Sequence, residues 1–278
     1  MTALLEVRKL SRSFGGIRAV DSLSFDAERG SITGLIGPNG AGKTTVFNLI
    51  TGIYPPDREL REAAAGTVKL NGENLVGKRP HEVVWAGVSR TFQNIRLFNR
   101  MTCLENVMTP LLVRGKSGPL AAFLRTKGTR DEEARARKTA FSILDDMGLA
   151  DAGDRAASTL PYGSQRKLEI ARALACMPLV EHSSGAKPRL LLLDEPAAGM
   201  NEAETHELGE TIVKVRKDFD VTILLIEHHI SLVMDISTHI VVMDRGALLA
   251  EGTPQAVRSD ERVVAAYLGH SHKRKRRA

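Results

Sequence analysis

A chain of 278 residues is long enough for one large domain or two small ones. Its 42% apolar and 26% charged content is ordinary for a globular protein, and no apolar run approaches the roughly 18 residues of a membrane-spanning helix. The net charge of +6 resides almost entirely in the terminal HSHKRKRRA, where Lys273, Arg274, Lys275, Arg276 and Arg277 cluster; the body is close to neutral, so the basic balance is no argument for a nucleic-acid-binding face.

The N-terminus, MTALLEVRKL, lacks a signal-peptide core. Residues 5–10, 17–25 and 32–36 alternate or run apolar, with turn residues Gly15-Gly16 and Glu28-Arg29-Gly30 between them, and are predicted strands. Residues 37–44, GPNGAGKT, follow at once and match G-x-x-x-x-G-K-[ST] at every fixed position. Gly37, Gly40 and Gly42 allow a tight turn that points successive N–H groups at one anion. Lys43 supplies a point charge for the β- and γ-phosphates, and the Thr44 hydroxyl suits Mg²⁺. A helix predicted from near Lys43, with apolar Val46, Phe47, Leu49 and Ile50, adds its positive dipole end. The turn 54–57 (YPPD) comes next, then a charged, alanine-rich surface insertion at 58–65, a strand at 67–70 and the turn Asn71-Gly72.

From about 102 to 177 the pattern is helical. A helix is predicted over 131–147, with Ala134, Phe141, Leu144 and Met147 on its apolar side, the Lys138 stem beside them, and Gly148 as the stop. Residues 114–130, rich in glycine and basic residues, read as a mobile connection. The cysteines, Cys103 and Cys176, have no metal-ligand spacing and read as free thiols. Beyond residue 189 the runs 190–193, 221–226 and 240–243 read as strands buried on both faces, so a helical insert interrupts an α/β core. Asp194 and Glu195 close the first of these runs. After a phosphate loop, such an aspartate holds the Mg²⁺ shell, and the glutamate can polarise a water for in-line attack on a γ-phosphate.

Taken together these segments resemble the ATPase subunit of ABC transporters, over nearly the whole chain. Phe14, 23 residues before Gly37, matches the aromatic that stacks on adenine. Gln93, in SRTFQNIRLF, matches the glutamine loop, and 160–174 (LPYGSQRKLEIARAL) the signature segment. AAGMN at 197–201 matches the dimer-contact loop, and His228 the switch histidine that senses the γ-phosphate. Each has a plain alternative when read singly: Phe14 as a core aromatic, Gln93 as a surface amide and His228 as a core or surface histidine. The runs YG-x-QR-x-LEIARAL, LDEPAAGMN, LIEH-x-I-x-LVM and AAYLG further resemble the LivG-type subunit of branched-chain amino-acid importers.

The resemblance implies an α/β fold: a P-loop ATPase core of mixed sheet with flanking helices, an antiparallel β subdomain and an inserted α-helical subdomain. Residues 1–269 would form one ABC ATPase domain, with the helical subdomain at about 102–177, followed by a basic tail at 270–278. It implies ATP and Mg²⁺ as ligands. Phe14, Gly37, Asn39, Gly40, Gly42, Lys43, Thr44 and Thr45 would hold nucleotide; Thr44, Asp194 and Gln93 the metal; Glu195, His228 and Gln93 the hydrolysis step. Tyr162, Gly163, Ser164 and Gln165 fall on the signature. Where the general signature reads LSGGQ, this chain has Pro161-Tyr162-Gly163-Ser164-Gln165, with Tyr162 aligned to the serine, and Asn201 replaces the aspartate of the dimer-contact loop. A second insertion lies at about 180–188. The expected partners are a second ATPase (LivF-like, or a second copy), two membrane permease subunits and, indirectly, a periplasmic solute-binding protein. The expected place is the cytoplasmic face of the cell membrane, as a peripheral subunit. A soluble ABC ATPase acting on nucleic acid or the ribosome is the alternative, but this chain has one cassette, no heptad run and no basic stripe. A switch GTPase would need an N-K-x-D motif, and no Asn-Lys pair occurs. The basic tail reads either as a solvated end or as a contact with anionic lipid.

Overall fold

In chain order the elements are β1 (Ala3–Phe14), β2 (Ile17–Glu28), β3 (Ile32–Ile36), α1 (Lys43–Ile50), β4 (Thr67–Leu70), β5 (Glu73–Asn74), α2 (Pro80–Ala86), β6 (Val88–Arg90), α3 (Cys103–Val113), α4 (Lys127–Asp146), α5 (Tyr162–Ala175), β7 (Leu190–Asp194), α6 (Glu202–Asp218), β8 (Thr222–Ile226), α7 (Ile230–Ile236), β9 (His239–Asp244), β10 (Ala247–Gly252) and α8 (Pro254–Ser259). This is a computed structural model, and it describes residues 2–57, 66–115, 124, 126–177 and 189–267. The insertions at 58–65 and 180–188 and the tail at 270–278 lie outside the described residues. The chain divides into two compact units, residues 1–90 with 180–278, and residues 91–179.

The first unit holds two sheets. The antiparallel one has the order β2-β1-β4-β5. Its β4–β5 hairpin turns at Asn71 and Gly72, both at positive φ (49° and 82°), as a two-residue turn between right-twisted strands requires. The mixed sheet has the order β10-β9-β3-β8-β7-β6, parallel throughout except for the antiparallel edge strand β10. β3 (ITGLI), β7 (LLLLD) and β8 (TILLI) are buried at every position, which explains why they run apolar without alternation. Leu35, Val46, Phe47 and Ile50 join Leu192, Leu224 and Val241 in one core cluster, so the face of α1 next to the phosphate loop is fixed against the central strands. The short strands β5, β6 and β10 were not predicted. β5 and β6 have two and three residues, too few for a readable period, and the six of β10 (ALLAEG) neither alternate nor run apolar throughout.

In the second unit α3, α4 and α5 pack on one another, with short 3₁₀ turns at Ala150–Ala152 and Ala157–Thr159. Thr102 caps α3 in a reciprocal box with Glu105. Helix α4 begins earlier than the predicted 131. Thr126 is its N-cap and accepts the Thr129 N–H, so the end of the expected mobile connection 114–130 is helical; most of the remainder of that stretch lies outside the described residues. Its buried face is Ala136, Ala140, Ile143, Leu144 and, just beyond, Met147. The predicted face shares only Leu144 and Met147 with it; Ala134, Lys138 and Phe141 are exposed. Gly148 stands at φ 67° where the helix stops.

Candidate functional site

The phosphate loop joins β3 to α1 and is pinned on both sides. Gly37 (φ 154°) and Gly42 (φ 100°) are needed for space as well as for conformation. A Cβ at Gly37 would stand 2.2 Å from the Met243 carbonyl oxygen, and one at Gly42 2.2 Å from that of Ala19. The Lys43 ammonium is buried and donates to the carbonyls of Gly37 (2.7 Å) and Pro38 (3.1 Å). Burial pulls its pKa below the usual lysine range, and the nearby carboxylates of Glu195 and Asp194 oppose that fall. Asn39, Gly40 and Thr44 are exposed along the loop and first helical turn, and Thr45 is half-buried.

Asp194 ends β7 and is buried, with its Oδ2 held at 2.7 Å by the Arg90 guanidinium. Arg90 also donates to Asn48 Oδ1 on α1 at 2.7 Å and lies over the Phe47 ring. One arginine at the end of β6 thus ties the acidic strand end to the helix that follows the phosphate loop. Sequence reading missed it, because a lone arginine after two strand residues announces nothing.

Glu195 has φ 48°, a left-handed conformation that costs a non-glycine residue on the order of 1–3 kcal/mol. Its N–H donates to the Ile226 carbonyl at 2.9 Å. His228, on the loop after β8, places Nε2 2.8 Å from Glu195 Oε1. The structure thus brings together Lys43, Asp194, Glu195 and His228 from the three neighbouring parallel strand ends of β3, β7 and β8. Ligands in open α/β sheets bind at such carboxyl ends. Phe14, at the end of β1, is 40% exposed, which removes the reading of it as core. It meets Tyr54 edge to face at 5.2 Å, and the Arg12 guanidinium lies 5.0 Å from its centroid. Tyr54 and Arg12 were also missed.

Gln93 and residues 162–165 belong to the second unit. Gln93 is exposed, and its carbonyl accepts from Arg166 on α5. Arg166 and Glu169 form a buried pair at 3.1 Å. Arg166 also donates to the Phe92 carbonyl (2.9 Å) and the Tyr162 hydroxyl (3.0 Å), while Glu169 accepts the N–H groups of Phe92 (3.4 Å) and Arg96 (3.3 Å). Burial raises the Glu169 pKa, and Arg166 and the two N–H groups restrain the rise. Helix α5 therefore clasps the backbone of the glutamine segment. Pro161 is the N-cap of α5, with no side-chain cap bond, so Tyr162 is the first helical residue. Gly163 and Ser164 follow in the first turn, half-buried, and Gln165 Nε2 donates to the Leu160 carbonyl at 2.9 Å. In the first unit, Asn201 caps α6 in a box with Glu204, a task an aspartate would do equally well.

Among the described residues no cluster of three or more His, Cys, Asp or Glu is placed to hold a metal, and no helix is long and apolar enough to cross a membrane. Residues 20–198 match the family described as ABC transporter, and residues 247–273 the family described as branched-chain amino acid ATP-binding cassette transporter. The chain is 44% identical to the high-affinity branched-chain amino acid transport ATP-binding protein BraF of Pseudomonas aeruginosa, over 96% of this chain and 98% of that one. It is 42% identical to the corresponding LivG of Escherichia coli over the same shares. Its fold superposes on the ADP conformation of MJ1267, an ATP-binding cassette of an ABC transporter, with a TM-score of 0.79 and 31% identity, covering 97% of this chain and 100% of that one. With a nucleotide-loop geometry of this kind and relatives matched over almost their full length, the chain belongs to the ABC transporter family, as an ATP-binding and ATP-hydrolysing subunit of the LivG type.

Proposed function

We propose that this subunit powers uptake of branched-chain or closely related amino acids, and that Glu195 and His228 carry the hydrolysis step. The supporting observation is the 2.8 Å contact between Glu195 Oε1 and His228 Nε2, set beside the buried Lys43 and Asp194. In this reading backbone N–H groups of the phosphate loop and the Lys43 ammonium cradle the β- and γ-phosphates, while the half-exposed Phe14 offers its face to the base. Glu195 orients the attacking water and accepts its proton. His228 fixes that carboxylate and follows the γ-phosphate.

Thr44 and Asp194 would hold Mg²⁺. A hydroxyl and a carboxylate are hard donors of the kind this ion takes, with the remaining ligands drawn from phosphate and water rather than from an all-protein cage. When bound, the ion neutralises charge on the phosphate oxygens. The assembly proposed around the chain is a second, LivF-like ATPase and two permease subunits at the cytoplasmic face of the membrane, fed by a periplasmic solute-binding protein. ATP favours closure of the ATPase pair because only the closed pair adds the partner's signature segment to each site.

Glu195→Gln tests the chemistry. It is expected to retain ATP binding while turnover falls by about 10²–10⁴-fold, the span of a general base. A variant keeping more than about a tenth of the parent rate removes Glu195 from this role.

A further inference from the structure

Glu227 follows β8 and is buried to 1% exposure. Its Oε1 accepts the Ala197 N–H at 2.6 Å. Its Oε2 accepts the N–H of His228 at 3.0 Å and, at 3.4 Å, that of His229. These donors come from two loops. Ala197 lies two residues beyond Glu195, and His228 is the partner of Glu195 in the 2.8 Å contact. One carboxylate thus joins the two backbones that carry the pair.

A buried carboxylate is costly unless its oxygens are well satisfied. Burial drives the Glu227 pKa upward; the N–H groups of Ala197, His228 and His229 pull it down, helped by the His229 imidazole. The compensation is therefore mostly backbone, which is the signature of a group that fixes loop conformation. An apolar residue would pack at this strand end but would offer the Ala197 and His228 N–H groups no acceptor.

We propose that Glu227 is a positioning residue for ATP hydrolysis: it sets loop 195–197 against loop 227–229 and so holds Glu195 and His228 at hydrogen-bond distance. The proposal rests on the reading that this pair acts in hydrolysis. Displacements of about 1 Å at a reacting centre are enough to cost on the order of 10²-fold in rate. Glu227→Gln keeps the shape but replaces one acceptor oxygen with a donor that faces a backbone N–H.

The test compares the full-length chain with Glu227→Gln, Glu227→Asp, His228→Ala and Glu227→Gln/His228→Ala, measuring kcat and KM for ATP and, by calorimetry, the affinity for ADP. Glu227→Gln is expected to lower kcat by about tenfold or more, with KM and ADP affinity within about twofold of the parent. His228→Ala is expected to cost less in the Glu227→Gln background than alone, because the two act through one geometry. Glu227→Asp keeps the charge on a shorter stem; it is expected to fall in the same direction, and decides the matter if the glutamine variant does not fold. The proposal is overturned if kcat stays within about tenfold of the parent, if ADP affinity falls in step with kcat, or if the two substitutions multiply independently. A His228→Ala variant with unchanged kcat would sink the catalytic reading itself and the proposal with it, which separates the two failures.

Discussion

At the scale of single residues, Phe14 shows how exposure decides between two roles. A core aromatic would be enclosed, whereas this ring is 40% exposed, with Tyr54 packed against it in a T-shaped pair and the Arg12 guanidinium over its face. Stacking is a modest and sequence-tolerant term, so Phe14→Ala is expected to weaken ATP and ADP binding by about 1–2 kcal/mol without changing fold stability by as much. Calorimetric titration checks this; unchanged affinity for both nucleotides would take Phe14 out of the site. The motif residues were legible in the sequence because phosphate chemistry demands them at fixed spacing. Gly37 and Gly42 sit where a Cβ would strike a backbone carbonyl, Lys43 follows at once, and Asp194 and Glu195 close a fully buried strand, so none of these could move by one position. Arg90 and Glu227 were not legible. Their work is to compensate a buried charge or buried N–H groups, and such a partner can arrive from any element the fold brings near.

At the scale of elements, the parallel strands were readable because burial on both faces leaves a continuous apolar run, as in Leu190–Asp194. Helix α4 was readable as a helix but not in its orientation. Phe141 drew the predicted face towards itself, while the buried stripe is built on Ala136 and Ala140, whose small side chains carry little hydrophobic signal. The clasp on α5 was invisible for a similar reason, since Arg166 and Glu169 look like a solvated i,i+3 pair until their 2% side-chain exposure is known. Breaking one half of a buried pair strands the other. Arg166→Met is therefore expected to destabilise the protein by about 3–5 kcal/mol, and Arg166→Met with Glu169→Leu to recover most of that loss. Denaturant unfolding of the full chain checks both, and a single variant within about 1 kcal/mol of the parent would contradict the account.

At the scale of the whole molecule, the near-neutral body and the absence, among the described residues, of a membrane-spanning helix leave the link to transport resting on partners. The signature segment departs from the general pattern at Tyr162 and Ser164, and its helix starts without a side-chain cap at Pro161. These departures favour the proposed pairing with a different ATPase subunit over pairing with a second copy. The isolated chain is expected to be mostly monomeric with slow ATPase, and to be stimulated by a LivF-like subunit with the permease pair; light scattering and steady-state ATPase assays read this. A tight ATP-dependent homodimer at micromolar concentration with full activity would contradict it.

In the proposed reading, ATP hydrolysis at Glu195 drives uptake of branched-chain or closely related amino acids. The most direct measurement is solute accumulation in vesicles carrying the permease pair, both ATPase subunits and the binding protein, with ATP on the side of the ATPase subunits and labelled leucine, isoleucine or valine on the other. ATP-dependent accumulation is expected, and it is expected to collapse together with hydrolysis when this chain carries Glu195→Gln. Accumulation that survives Glu195→Gln, or ATP hydrolysis by the intact assembly that moves neither these three nor any related amino acid, would overturn that reading.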